Sequence, residues 1–281
     1  MKKILVPLNL RLDYKNVLNY AFSISEKSEA EIVFFLAGPK RSMKKTGNWR
    51  PGSMEELNAT LQLVKNKHLK QHLSSILPNF IEQDVPFTLK MKPGNWINEI
   101  IKESHDVNYD LMIVGTDATN GLRRYMRLSW ISRLMGSVKA PIFILPPKSP
   151  FNEIHHITYA VDLTDYDSTV MEQVKNIAGL FDAQLTIAHV NVEEENAPEG
   201  YVNSLDQTIS ETLDYPKVNY RFFDHADPFG GIKNLVHLNN TQLLAMISRK
   251  KPSWRDFFAS HSMTRKMTKE LQVPVLAFRK K

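Results

Sequence analysis

Two stretches of this 281-residue chain repeat each other at both ends but not in the middle, and that pattern narrows the possible folds sharply. Ile4-Leu5-Val6-Pro7-Leu8-Asn9-Leu10 is answered 153 positions later by Ile157-Thr158-Tyr159-Ala160-Val161-Asp162-Leu163. Ala140-Pro141-Ile142-Phe143-Ile144-Leu145 is answered only 133 positions later, by Val273-Pro274-Val275-Leu276-Ala277-Phe278. The second half therefore lacks 20 residues from its middle. Two related domains of unequal length follow, each large enough to bury its own core. Their expected extents are residues 1–147 and 151–281, with Pro146-Pro147-Lys148-Ser149-Pro150 as a stiff linker.

Within each half, short apolar runs rich in β-branched and aromatic residues alternate with segments of helical spacing. The first half predicts strands at 3–8, 31–37, 87–91, 111–115 and 141–145. Helices are expected at 14–27, from Ser53 to about residue 77, at 96–104 and at 128–135. Ser53 with Glu56 three places on forms a capping box. The second half predicts strands at 157–161, 184–190, 219–223, 243–247 and 274–278. Its helices are expected at 168–181, after an acidic stretch at 193–200, at 231–238 and at 257–271. Strands of about five residues alternating with helices make a doubly wound α/β fold, a parallel sheet covered on both faces.

Composition closes off several functions. The chain has no cysteine, so disulfides and thiolate chemistry are excluded. No apolar run reaches the roughly 18 residues a membrane span needs. The opening Met1-Lys2-Lys3-Ile4-Leu5-Val6 is ended by Pro7, Asn9, Arg11 and Asp13, so it reads as a strand rather than a leader. A cytoplasmic location is the expectation. Net charge is +6, but the basic residues are scattered without an aromatic-basic stripe, which argues against nucleic acid as a partner. Nothing resembles a nucleophile elbow, a Walker loop or a His-Glu-x-x-His helix, so no catalytic residues and no enzyme activity are expected.

In a doubly wound sheet a ligand sits beyond the carboxyl ends of the strands, where strand order reverses. The loops after the first and fourth strands are therefore the ones to inspect. In the first half they hold Pro7-Leu8-Asn9 and Val114-Gly115-Thr116-Asp117-Ala118, followed after nine residues by Leu128-Ser129. In the second half they hold Ala160-Val161-Asp162 and Ser248 with Lys251, followed after nine residues by His261-Ser262. The spacing matches: 26 positions separate Gly115 from Pro141, and 26 separate Ser248 from Pro274.

These loops, with the strand-helix order around them, resemble the universal stress protein family over nearly the whole chain, as a tandem pair. The resemblance implies two tandem five-stranded parallel sheets of order 3-2-1-4-5, Rossmann-like in the adenine nucleotide alpha hydrolase-like manner. Members typically open with Pro-Thr-Asp and carry Gly-x-x-Gly, nine residues, then Gly-Ser or Gly-Thr. The ATP-binding members place the aspartate at the adenine and the glycine loop at ribose and phosphates, where backbone N–H groups meet the anion. Carried over, the candidate positions are Pro7, Leu8, Asn9, Val114, Gly115, Ala118 and Ser129 in the first domain. In the second they are Val161, Asp162, Ser248, Lys251 and Ser262.

The pattern is degenerate in both halves. Only Gly115 of the three glycines survives in the first, where Asn9 replaces the aspartate; Asp162 keeps it in the second, which has lost every glycine. Ala118 restricts positive φ, and Leu128 and Trp130 put bulk where phosphate would approach backbone. Lys251 and His261 do the same in the second half. Arg123, Arg124 and Arg127 read equally as phosphate clamps or as an exposed patch.

Other signals have plain explanations. His68 and His72 stand one turn apart among lysines with no carboxylate companion, the mark of a solvated helix face. Asp162, Asp165 and Asp167 read first as caps of a helix N-terminus.

Two functions follow as expectations. The first is a non-catalytic stress-response protein acting by association: the domains pair as an intramolecular pseudo-dimer and the chain forms a homodimer, since the apolar strands 142–145 and 275–278 are liabilities as naked edges. The second is binding of ATP, AMP or another small ligand in one domain, with no cofactor certain. The basic segment 40–52 is left open between covering the first site and lengthening an interface.

Overall fold

The computed structural model describes residues 1–8, 15–116, 129–147, 149–161, 167–191, 213–248 and 261–279. The chain divides into two compact units, Met1–Phe151 and Asn152–Lys281. Asn9, Ala118, Asp162, Lys251 and the arginines at 123, 124 and 127 lie outside the described residues, as does the expected helix after 193–200.

The first unit runs β1 (Lys3–Leu8), α1 (Lys15–Ser28), β2 (Glu31–Gly38), β3 (Gly47–Trp49), α2 (Met54–Leu61), α3 (Lys67–Glu82) and β4 (Phe87–Pro93). It continues with α4 (Trp96–Asp106), β5 (Leu111–Gly115), α5 (Ser129–Ser137) and β6 (Ile142–Leu145). Its parallel strands stand in the order β4-β2-β1-β5-β6, which is 3-2-1-4-5. Right-handed crossovers then put α1 to α3 on one face and α4 with α5 on the other. The rings agree: Phe22 of α1 meets Phe80 of α3 at 5.0 Å, and Trp96 of α4 meets Trp130 of α5 at 5.0 Å. Phe80 also packs on Phe34 and Phe87, at 5.6 and 5.5 Å, and seals the core on that face.

Two expectations change in this unit. The sheet has a sixth strand: β3 lies antiparallel on the outer edge of β4, pairing Gly47 with Met91 and Trp49 with Leu89. The basic segment thus covers an edge, which is one way proteins prevent strands from pairing with other chains. The single long helix predicted after Ser53 is two helices. Ser53 accepts from the Glu56 N–H at 3.2 Å as the capping box requires, but α2 stops at Leu61. Val64 is held in a bridge with Met43, Lys44 N–H donates to Leu63 O at 2.8 Å, and Asn66 then caps α3 by accepting from Leu69 N–H at 2.8 Å. Contacts from 21 and 19 residues away outcompete helix continuation. His68 is exposed and His72 partly buried, their rings 4.6 Å apart on α3. Phe151, one residue past the expected linker, packs on Tyr20 of α1 at 4.8 Å.

The second unit runs β7 (His156–Ala160), α6 (Ser168–Leu180), β8 (Gln184–Asn191), β9 (Val218–Asp224), α7 (Pro228–Leu238), β10 (Leu243–Ser248), α8 (His261–Glu270) and β11 (Val275–Arg279). Its strand order β9-β8-β7-β10-β11 is again 3-2-1-4-5, all parallel. Asp167 caps α6, accepting from Thr169 and Val170 N–H at 2.9 and 3.2 Å, as the sequence leads one to expect. Asp227 does the same for α7. Phe229, Ile232, Met246, Met267 and Val275 belong to a core of this unit's own. Among the described residues no helix is long and apolar enough to cross a membrane.

Because Phe80 touches three rings and is fully buried, Phe80→Ala should lower unfolding free energy by about 3–5 kcal/mol in urea titration. A loss under about 1 kcal/mol would show that α3 is not sealing this face.

Candidate functional site

At the reversal in the first unit, β1 is flanked by β2 and β5, so its carboxyl end opens where their connections diverge. Pro7, Leu8, Val114 and Gly115 gather there, all buried. Thr116 follows, its hydroxyl and its N–H both donating to Leu145 O at 2.9 Å. The Leu8 carbonyl, the last described on β1, accepts a hydrogen bond from Trp96 Nε1 at 3.1 Å. Trp96 opens α4 behind the cap Asn95, after a turn at Gly94 whose φ of 145° favours glycine. Its ring packs edge-on against Trp130, and Arg133 of α5 donates to Asn98 Oδ1 at 2.7 Å, tying the starts of the two helices together.

Gly115 has a reason of its own. A Cβ built there would stand 2.7 Å from Val17 Cγ2 of α1, so the missing side chain lets helix and strand touch. Ser129 begins α5, with its side chain outside the described atoms.

The second unit repeats the closure with other chemistry. Val161 stands at the position of Leu8 in the repeat, and its carbonyl is met by His189 Nδ1 at 3.0 Å. A carbonyl only accepts, so Nδ1 carries the proton. Ser248 ends β10 fully buried, and Ser262 lies in α8 with its side chain outside the described atoms. No sequence motif assigns a role to Trp96 or His189. The only local hint for Trp96 is an aromatic residue directly behind a Gly-Asn helix start; for His189 there is none.

A second polar centre lies at the opposite, amino end of the first sheet, on the face of α4. Glu31 accepts from Thr88 Oγ1 at 2.7 Å and pairs with Arg50 at 3.0 Å and Lys3 at 3.3 Å. Arg50 Nε also donates to Thr88 Oγ1 at 3.0 Å. Fully buried Glu103 of α4 holds Lys90 at 2.7 Å on one oxygen and Lys92 at 3.0 Å on the other, and accepts from the Tyr109 hydroxyl at 2.8 Å. Burial pushes both carboxyls up. The donors outweigh it: Thr88, Lys3 and Arg50 leave Glu31, and Lys90, Lys92 and Tyr109 leave Glu103, below the ordinary carboxylate value. Burial and the Glu103 charge hold the Tyr109 phenol well above its usual value, so it stays a donor. Among the described residues no three His, Cys, Asp or Glu side chains form a metal-holding group.

The fold and its reversal points define a protein of two doubly wound α/β domains, the architecture that takes ligands beyond the strand ends. The chain belongs to the universal stress protein family, whose model matches residues 1–146. A universal stress protein from Archaeoglobus fulgidus DSM 4304 superposes with a TM-score of 0.66 at 17% identity, over 99% of this chain and 96% of that one. A functionally unknown protein from Pseudomonas aeruginosa PAO1 gives 0.67 at 12% identity, over 99% and 92%. The cytoplasmic domain of a prokaryotic cation chloride cotransporter gives 0.53 at 10%, over 98% and 94%. At such identities these likenesses establish the fold alone. No curated protein sequence matches the chain.

Two outcomes follow. Gly115→Ala should destabilise by about 1–3 kcal/mol in urea, and adding Val17→Ala should recover part of that loss, because the second change removes the clashing methyl. Full additivity would mean that Gly115 is kept for another reason. Glu31 and Glu103 bind protons more weakly folded than unfolded. Their contribution is complete above the ordinary carboxylate value, about 4.3, and is lost as pH falls through their lower folded values. The urea midpoint should thus drop as pH is lowered from about 5 to about 3, and Glu103→Gln should flatten part of that drop.

Proposed function

We propose that this universal stress protein is non-catalytic and serves the stress response by shape and self-association, its nucleotide crevices being closed by its own rings. The observation that carries the reading is the hydrogen bond from Trp96 Nε1 to Leu8 O, at the reversal point of the first sheet. A ligand entering there would have to displace an indole that is already hydrogen-bonded and packed on Trp130. His189 supports the same reading at Val161 in the second unit. Gly115 does not demand a phosphate, because Val17 accounts for it.

On this reading the second unit is a diverged universal stress protein domain. Pro7, Leu8, Asn9, Val114, Gly115, Ala118 and Ser129, with Val161, Asp162, Ser248, Lys251 and Ser262, are the candidate positions at which the family's nucleotide-binding pattern has degenerated. The absence of a recognisable nucleophile or metal motif from the sequence underlies the non-catalytic part, and the protein is placed in the cytoplasm, without nucleic acid or membrane as partner.

Calorimetric titration with ATP and AMP tests it. The natural protein should give no saturable heat at roughly 1 mM ligand, whereas Trp96→Ala should bind at least tenfold more tightly than the natural protein. Micromolar binding by the natural protein would replace this reading with a nucleotide-binding one. Gel filtration with light scattering should show a species larger than one chain, and a strict monomer at micromolar concentration would remove the self-association.

A further inference from the structure

The charged centre at the amino end of the first sheet surrounds a cavity of about 360 Å³, far along the strands from the crevices discussed above. It is lined by Lys3, Glu31, Arg50, Lys90, Glu103 and Tyr109, with Val33 and Val107 as apolar wall and Thr88 and Asn48 completing the rim. We propose that this cavity binds a small organic anion, its phosphate or carboxylate group held by Lys3 and Arg50 above Lys90.

The charges are unequal. Three cations line the space against two carboxylates, and Lys92 reaches Glu103 from outside the lining, so each carboxylate is shared by two cations. Asp110, outside the lining, accepts from the Lys2 and Lys3 backbone N–H groups on a single oxygen at 2.6 and 2.9 Å. Spare donors exceed spare acceptors as well. Lys3 and Lys90 each commit one ammonium N–H among the described residues, leaving two apiece. Arg50 fixes its plane through Nε and Nη2, and its other donors have no partner among the described residues, with 71% of its side chain exposed. A planar fork already oriented by Thr88 and Glu31 is suited to two oxygens of one anionic group.

The pairs stabilise the ionised carboxylates, but apolar side chains of similar volume would hold the fold as well. Buried ion pairs gain little over apolar packing, and two ammonium groups on one buried carboxylate add repulsion. A bound anion relieves both. The volume lies at the small end of ligand pockets, about 300–1,000 Å³, and Val33 and Val107 offer surface to a short carbon stem. The site is also assembled from distant pieces: β3, which has no counterpart among the described residues of the second unit, carries Asn48 opposite Lys90 and leads into Arg50.

The test is calorimetric titration of the full chain with inorganic phosphate and, separately, with succinate, in sodium chloride buffer at constant ionic strength. At least one anion should bind saturably at one site per chain, and the two should compete. Arg50→Ala and Lys3→Ala, both at partly exposed positions, should each weaken binding tenfold or more. Lys67→Ala, an exposed cation on α3 across the sheet, should leave it unchanged. Tighter phosphate assigns a phosphoryl ligand and tighter succinate a carboxylate one. No saturable heat from either anion, or binding that Arg50→Ala and Lys3→Ala leave intact, overturns the proposal.

Discussion

At the point where each parallel sheet reverses its order, a ring donates to the carbonyl at the end of the first strand. That contact organises the functional end of each unit. In the first, it fixes where Trp96 sits, hence where α4 begins, and through Trp130 and Arg133 where α5 lies. Gly94 makes the approach feasible by taking the positive φ of the turn into α4, while Gly115 lets α1 close on β5 from the other face. The end of β1 is thus crowded from both faces by residues that serve the fold.

The opposite end of the same sheet is built on charge. There the satisfied groups are carboxylates, each held by two cations and a hydroxyl, and the cost of burying them is met by hydrogen bonds rather than by solvent. One sheet therefore carries an end closed by rings and an end lined by ions. Helix α4 spans both, with Trp96 in its first turn and Glu103 in its last turns.

Much of the fold is legible from residue patterns because the signals are local. Strand runs such as 31–37 and 243–247 lie within a residue or so of β2 and β10, and Ser53 and Asp167 cap helices by contacts two or three residues away. What is missed depends on distance along the chain. The break before Asn66 is imposed by Met43 and Lys44, and the sixth strand exists only because β4 offers an edge. The candidate site is harder still. Trp96 reaches a carbonyl 88 residues away and His189 one 28 residues away, and neither ring belongs to a recognisable motif. The charged cavity gathers residues 3, 31, 50, 88, 90, 103 and 109, so no window of sequence contains it. Gly115 was legible as special, but the neighbour that makes it special is a valine on α1.

The two ring caps do not correspond. Following the shared strand order, Leu36 of β2 occupies the register position that His189 holds in β8, and Pro228 opens the helix that Trp96 opens in the first unit. Indole and imidazole thus reach equivalent oxygens from different directions, one from a helix start and one from an adjacent strand. What the two halves hold in common is a carbonyl at the end of one strand, and each meets it with the ring its own surroundings supply.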